Sequence, residues 1–171
     1  LVKMVSPSVS PMIASGRVLK KLVPDAKVVF IGPCIAKKSE AREKDIADAI
    51  DYVMTFDELR EVFKATGINP AELQEEEGDC SSRGGRIYAR TGGVSKCIKD
   101  TVERISPERS IELKSAHGNG VRECKELLDK ALAGKLDANF LEGMGCVGGC
   151  VGGPRAILDK ELGRQYVDSY G

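Results

Sequence analysis

Residues 140–154 read Phe-Leu-Glu-Gly-Met-Gly-Cys-Val-Gly-Gly-Cys-Val-Gly-Gly-Pro, which places Cys146 and Cys150 four apart in backbone dominated by glycine. Glycine admits positive φ and leaves no Cβ between the main chain and a ligand, so such a segment can close tightly around sulfur or another anionic group. Two thiolates on such a turn suggest a metal ion or an iron-sulfur cluster. A glycine-rich turn carrying two buried or disulfide-bonded thiols is the alternative, and the window by itself leaves both open.

A third cysteine stands at a second informative place. Ala26 to Ile31 is a continuous apolar run bounded by turn formers, which predicts a buried strand of a parallel sheet over Val28 to Ile31. Gly32-Pro33-Cys34 ends it, followed by Lys37 and Lys38. Ligands of open α/β sheets bind at the carboxyl ends of strands, so a thiol and two ammonium groups there are placed for chemistry. Taken alone, Cys34 reads equally as an inert buried thiol.

The rest of the chain alternates helices and strands without internal repeats. Ser10 with Pro11 opens a helix to about Leu22. A charged helix is expected over Lys37 to Asp45, a short strand over Tyr52 to Met54, and a capping box at Thr55 opening a helix to about Ala65. The pattern weakens from Asn69 to Arg90, where Glu75, Glu76 and Glu77 read as solvated surface. A helix over Gly93 to Ile105, a strand over Ile111 to Ala116, a helix over Val121 to Ala133 and a strand over Ala138 to Leu141 follow. This alternation predicts an α/β fold of mainly parallel sheets flanked by helices.

Composition narrows the classes. The 171 residues carry 26 basic and 26 acidic side chains, so no net field favours nucleic acid or an anionic membrane. No apolar run has transmembrane length, and six cysteines without a secretory context suggest a reducing cytoplasm. Cys124 falls on the apolar stripe of its helix with Val121, Leu127 and Leu128, and Cys97 is likewise read as packing. Cys80 is open between a further ligand and a free loop thiol. His117, the one histidine, is open between a structural role and proton transfer.

Together the two cysteine segments resemble the iron-only, or [FeFe]-, hydrogenase large subunit in its C-terminal H-cluster domain. Pro33-Cys34-Ile35-Ala36-Lys37-Lys38-Ser39-Glu40 is similar to the family's second signature loop, and Glu142 to Gly153 to the third. Ser10-Pro11, Thr91-Gly92-Gly93-Val94 and Ala116-His117-Gly118 match in order between and before them. The resemblance implies the later part of a two-lobed H-cluster domain over residues 1–171. The family's first signature loop, with a further cluster ligand and the proton-relay cysteine, is expected upstream of Leu1, and the isolated piece is expected to be inactive.

By the same resemblance Cys34 and Cys146 match terminal ligands of a [4Fe-4S] cluster, and Cys150 the thiolate bridging it to a diiron subsite carrying carbonyl and cyanide. Lys37 matches the lysine that holds a cyanide ligand, Met144 the methionine beside the diiron unit, and Glu142 a loop anchor. The glycine-rich turn is expected to offer N–H donors to cluster sulfur. The implied activity interconverts protons and H2, with ferredoxin or fused iron-sulfur domains as electron partners and hydrogenase maturation proteins as assembly partners. Three departures, Met12-Ile13-Ala14 after Ser10-Pro11, Gly145 and Val147 around Cys146, and Gly152-Gly153-Pro154-Arg155, look like the divergent hydrogen-sensing branch. The alternative implied is a hydrogenase-like [4Fe-4S] protein-interaction module without the diiron subsite.

Overall fold

The computed structural model describes residues 2–75, 81–109 and 111–171. The chain divides into two units, Leu1–Gln74 and Glu75–Gly171.

The first unit begins with a short 3-10 turn, Val2–Met4, and then helix α1, Pro11–Leu22. Ser10 caps α1 by accepting the Ile13 N–H, as its place before Pro11 predicts. Strand β1, Val29–Ile31, pairs in parallel with β2, Tyr52–Met54, in the register Phe30 to Val53. Between them lie helix α2, Ala36–Glu40, and a run of turns; helix α3, Phe56–Thr66, follows β2. Thr55 and Glu58 form the predicted capping box, and Gly67 ends α3 at φ 70°. Met12, Ile13, Val28, Ala49 and Ile50 make the core, with Phe30 and Val53 packed against it. Helix α1 comes so near the 46–50 segment that a Cβ on Gly16 would lie 2.4 Å from the Ala49 carbonyl oxygen.

Two expectations change here. The charged helix stops at Glu40 instead of Asp45. Beyond it the amides of Arg42 and Glu43 bond three residues back, to Ser39 and Glu40, and Arg17 draws the turn in by donating to the Asp45 carbonyl and to both oxygens of Asp48. Strand β1 is also not buried on both faces: Val29 and Ile31 are exposed, while Phe30 points inward. A two-stranded sheet with its packing on one side accounts for this.

The second unit contains helices α4, Arg83–Ile87, and α5, Gly93–Ile105, then strand β3, Ser115–Asn119. Helix α6, Val121–Leu132, crosses to strand β4, Phe140–Met144, which pairs in parallel with β3 from Ser115–Phe140 to Asn119–Met144. A 3-10 turn, Cys150–Gly152, and helix α7, Lys160–Tyr170, complete it. The sequence reading does not anticipate α7, which Asp159 caps by accepting the amides of Glu161 and Leu162. Both strands lie a few residues later than predicted, because polar His117 and Asn119 and the small Gly118 and Gly143 join the ladder. A Cβ on Gly118 would meet the Cys124 backbone of α6 at 2.7 Å, so the glycine is what lets that helix close on the sheet. Helix α5 is held from the other side of the strands by Glu142, giving the helix-flanked parallel arrangement expected. Among the described residues no helix is long and apolar enough to cross a membrane.

Candidate functional site

The two cysteine segments fall in different units. In the first, Cys34 is half-buried three residues beyond β1, where Gly32 donates to the Met54 carbonyl and so continues the sheet into the loop. Lys37 is the second residue of α2, and its ammonium is paired with the Glu40 carboxylate one turn on. Burial pushes the Glu40 carboxyl up. The hydrogen bonds from Lys37 and Ser10, with the ammonium's attraction, outweigh it and hold that carboxyl below its ordinary value.

In the second unit β4 runs into the cysteine turn. Glu142, only 4% exposed, is an anionic cap for α5: Oε1 accepts the Gly92 N–H at 2.7 Å, and Oε2 accepts the Ser95 N–H at 2.7 Å and the Ser95 hydroxyl at 2.6 Å. This satisfies free amides at the positive end of the helix, and it gives Glu142 the loop-anchoring role expected of it. Met144 ends β4, half-buried, with its carbonyl accepting the Gly120 N–H and the Cys124 thiol.

The turn beyond is clamped along its length. Gly148 donates to Asn119 Oδ1 at 2.6 Å, Thr91 Oγ1 donates to the same oxygen at 2.9 Å, and the Thr91 amide returns to the Gly148 carbonyl at 3.2 Å. Gly149 bridges Arg90 in antiparallel fashion, and Val151 donates to the Ala89 carbonyl. At Gly149 φ is 83°, and a Cβ would lie 2.7 Å from the Thr91 nitrogen. Only glycine fits there. Cys146 is half-buried and Cys150 exposed, and neither is in a disulfide.

The amides of Gly148, Gly149, Val151, Gly152 and Gly153 all donate to protein oxygens, so these five close the turn. Close approach is the reason for small residues: a Cβ on Gly152 would lie 1.9 Å from the Val147 carbonyl oxygen.

Of the remaining candidates, Cys97 packs against α4, with its Sγ 2.6 Å from where a Gly84 Cβ would stand. The Cys124 thiol bonds the Gly118 and Met144 carbonyls at 3.4 Å each. Both are packing thiols, as read from the sequence. His117 is exposed in mid-β3. Cys80, Glu76 and Glu77 lie outside the described residues. Sequence reasoning misses Asn119, Thr91 as a side chain, and Tyr88, whose hydroxyl burial pushes up, with further help from the neighbouring Cys97, Glu142 and Cys150. An Asn at a strand end before a glycine is the one signal that points to Asn119.

The donor chemistry fits a thiolate-bound cluster: two thiols outside any disulfide stand on one glycine-rich turn. Among the described residues no three His, Cys, Asp or Glu side chains converge on one point, so the turn by itself would supply only part of such a ligand set.

The sequence model of the family described as "Iron only hydrogenase large subunit, C-terminal domain" matches residues 1–154. The periplasmic [Fe] hydrogenase large subunit of Nitratidesulfovibrio vulgaris is 29% identical across 78% of the chain and 40% of the relative. Iron hydrogenase 1 of Clostridium pasteurianum is 31% identical across 81% of the chain and 30% of the relative. The chain therefore spans less than half the length of these curated relatives. A solved structure of a variant of the [FeFe]-hydrogenase HydA1 from Chlamydomonas reinhardtii superposes at TM-score 0.64 and 25% identity, covering 91% of this chain and 56% of that one. A structure of HydA(deltaEFG), reported for stepwise H-cluster assembly, superposes at TM-score 0.65 and 24% identity over the same 91% and 56%, and shares the fold.

Proposed function

Because the chain belongs to the family of the iron-only hydrogenase large subunit, C-terminal domain, we propose that it is part of an H-cluster-binding domain. In this reading Cys34, Cys146 and Cys150 are thiolate ligands. The observation that carries it is the Cys146–Cys150 turn, two cysteines outside any disulfide on a backbone clamped from Thr91, Arg90 and Asn119. When bound, the [4Fe-4S] cluster and diiron subsite supply the redox chemistry that interconverts protons and H2.

The chain's own residues bind and orient. Thiolates at Cys34, Cys146 and Cys150 would hold the iron of the cluster, with the exposed Cys150 the ligand shared with the diiron subsite. The Glu142 cap fixes the end of β4, from which the turn departs. Lys37 would offer its ammonium to an anionic ligand, and its ion pair with Glu40 orients it. Met144 gives an apolar, polarizable side for the diiron unit. Electrons come from ferredoxin or fused iron-sulfur domains, assembly from hydrogenase maturation proteins, and the setting is a reducing cytoplasm. With Met12-Ile13-Ala14, Gly145 and Val147 departing from the catalytic pattern, hydrogen sensing at low turnover is the form of the activity we favour.

A second reading, a [4Fe-4S] interaction module without the diiron subsite, is favoured by one observation. The Lys37 ammonium already has a counter-ion in Glu40. Infrared spectroscopy of the matured full-length protein separates the two. Carbonyl and cyanide bands lost in Lys37→Met support the hydrogenase reading, and no such bands in the wild type would sink it.

A further inference from the structure

We propose that Asn119 is the positioning residue that presets the Cys146–Cys150 pair to take a metal. The inference deepens the cluster-domain reading and rests on it. Its carboxamide oxygen is the meeting point of two donors from different parts of the chain: the Gly148 N–H at 2.6 Å, in the middle of the cysteine turn, and the Thr91 hydroxyl at 2.9 Å, just before α5. The atom at that point must be the oxygen, since a backbone N–H can only donate. The circuit closes through the Thr91 amide, which donates to the Gly148 carbonyl at 3.2 Å. Both main-chain polar groups of Gly148 are thereby fixed, at a φ of 94°.

Asn119 is itself held. It ends β3 opposite Met144, and its own amide donates to Glu123 Oε2 at 2.9 Å, on the first turn of α6. The turn's midpoint is therefore referenced to β3, to α6 and to the 89–91 segment, with Cys146 two residues before the fixed peptide and Cys150 two after it. The main chain on which the two thiols stand cannot shift at its midpoint without breaking a bond of this circuit. Groups that orient metal ligands from behind change affinity by about 10- to 100-fold when removed.

The test uses Co2+ as the probe on this chain, reading the sulfur-to-cobalt charge-transfer absorption that the Cys146→Ser, Cys150→Ser double variant loses. Asn119→Leu keeps the shape and removes both accepted bonds, whereas Asn119→Asp keeps an oxygen at both. We expect Asn119→Leu to weaken Co2+ binding about 10- to 100-fold, with its charge-transfer bands displaced, and Asn119→Asp to stay near the wild type. Wild-type affinity in Asn119→Leu overturns the proposal, as does a wild type without the pair's signal. If Asn119→Leu does not fold, Asn119→Asp decides: retained affinity supports the proposal, and loss in a folded protein, checked by circular dichroism, overturns it. Iron and sulfide uptake by the full-length protein reports separately on the cluster reading. Co2+ binding governed by Asn119 with no such uptake leaves this inference standing and sinks that reading.

Discussion

Glu142 and Ser95 are joined twice through a single carboxylate oxygen, Oε2, which accepts both the backbone N–H and the hydroxyl of Ser95 from a strand 47 residues away in sequence. With Oε1 on the Gly92 amide, this carboxylate is the cap that the glycine at the start of α5 cannot provide for itself. Glu142→Ala strands these donors in a buried site and is expected to lower stability by about 2–4 kcal/mol. Glu142→Gln should lose nearly as much, since its amide NH2 must face a donor. Chemical denaturation of the two variants checks this; a change below about 0.5 kcal/mol in both, the range of surface substitutions, would show that the cap is not structural.

Gly149→Ala is expected to be among the most damaging single substitutions. It places a methyl 2.7 Å from the Thr91 nitrogen at positive φ, so strain and collision with backbone add to roughly 2–5 kcal/mol. Gly134 shares the positive φ, at 65°, but has nothing within 4 Å of the added carbon. Gly134→Ala should therefore cost only about 1–2 kcal/mol. Equal melting shifts for the two would argue against a clamped turn.

The stability of the first unit should fall in acid in a way that Glu58→Gln removes. A hydrogen bond from Lys38, helped by the Thr55 amide, holds the Glu58 carboxyl at about 2 against an ordinary 4.5. A carboxyl lowered in the folded state contributes stability that is complete above its unfolded value and is lost as pH falls through its folded value. The loss therefore runs between pH 4.5 and about 2. Asp51, lowered by the Val28 amide and then Lys20, acts in the same direction. Thermal unfolding at pH 7 and near pH 2 should show the wild type ahead of Glu58→Gln at the first and level with it at the second.

The cysteines should separate into two groups. In the full-length protein Cys34→Ser and Cys146→Ser are expected to lose iron and sulfide, and Cys150→Ser to abolish hydrogen chemistry while a [4Fe-4S] resonance remains. Cys97→Ser and Cys124→Ser should keep the cluster and cost about 1 kcal/mol through altered packing. Electron paramagnetic resonance with a hydrogen-uptake assay distinguishes them, and full activity in Cys150→Ser would overturn its assignment.

Periodicity and capping chemistry made the helices legible: Ser10-Pro11 starts α1, and Thr55 with Glu58 starts α3, because a cap is a local signal. The ends of strands and of α2 were not legible. Arg17, some 30 residues away, shapes the turns after Glu40, and the glycines of β3 and β4 extend a ladder that apolar pattern alone would stop at Ala116 and Leu141. The cysteine turn announced its thiols and its glycines but not the duty of the glycines. Gly149 and Gly152 are set by what the backbone meets, and Asn119 by a bond to a residue 29 positions on, neither of which leaves a local pattern.

The polar side chains on one face of β3 and β4 also decide which pairing the two strands can accept. In the observed register Asn119 stands beside Met144, and Glu142 beside His117. Slipping either strand by one residue turns its whole set of side chains to the opposite face. Glu142 would then be driven toward the Cys124 face, leaving the α5 amides bare, or Asn119 would abandon the turn. An apolar ladder tolerates such a slip because its residues are interchangeable; these two are not. The carboxylate and the carboxamide thus work as a key cut for one alignment, making a misthreaded strand pair costly before any metal arrives.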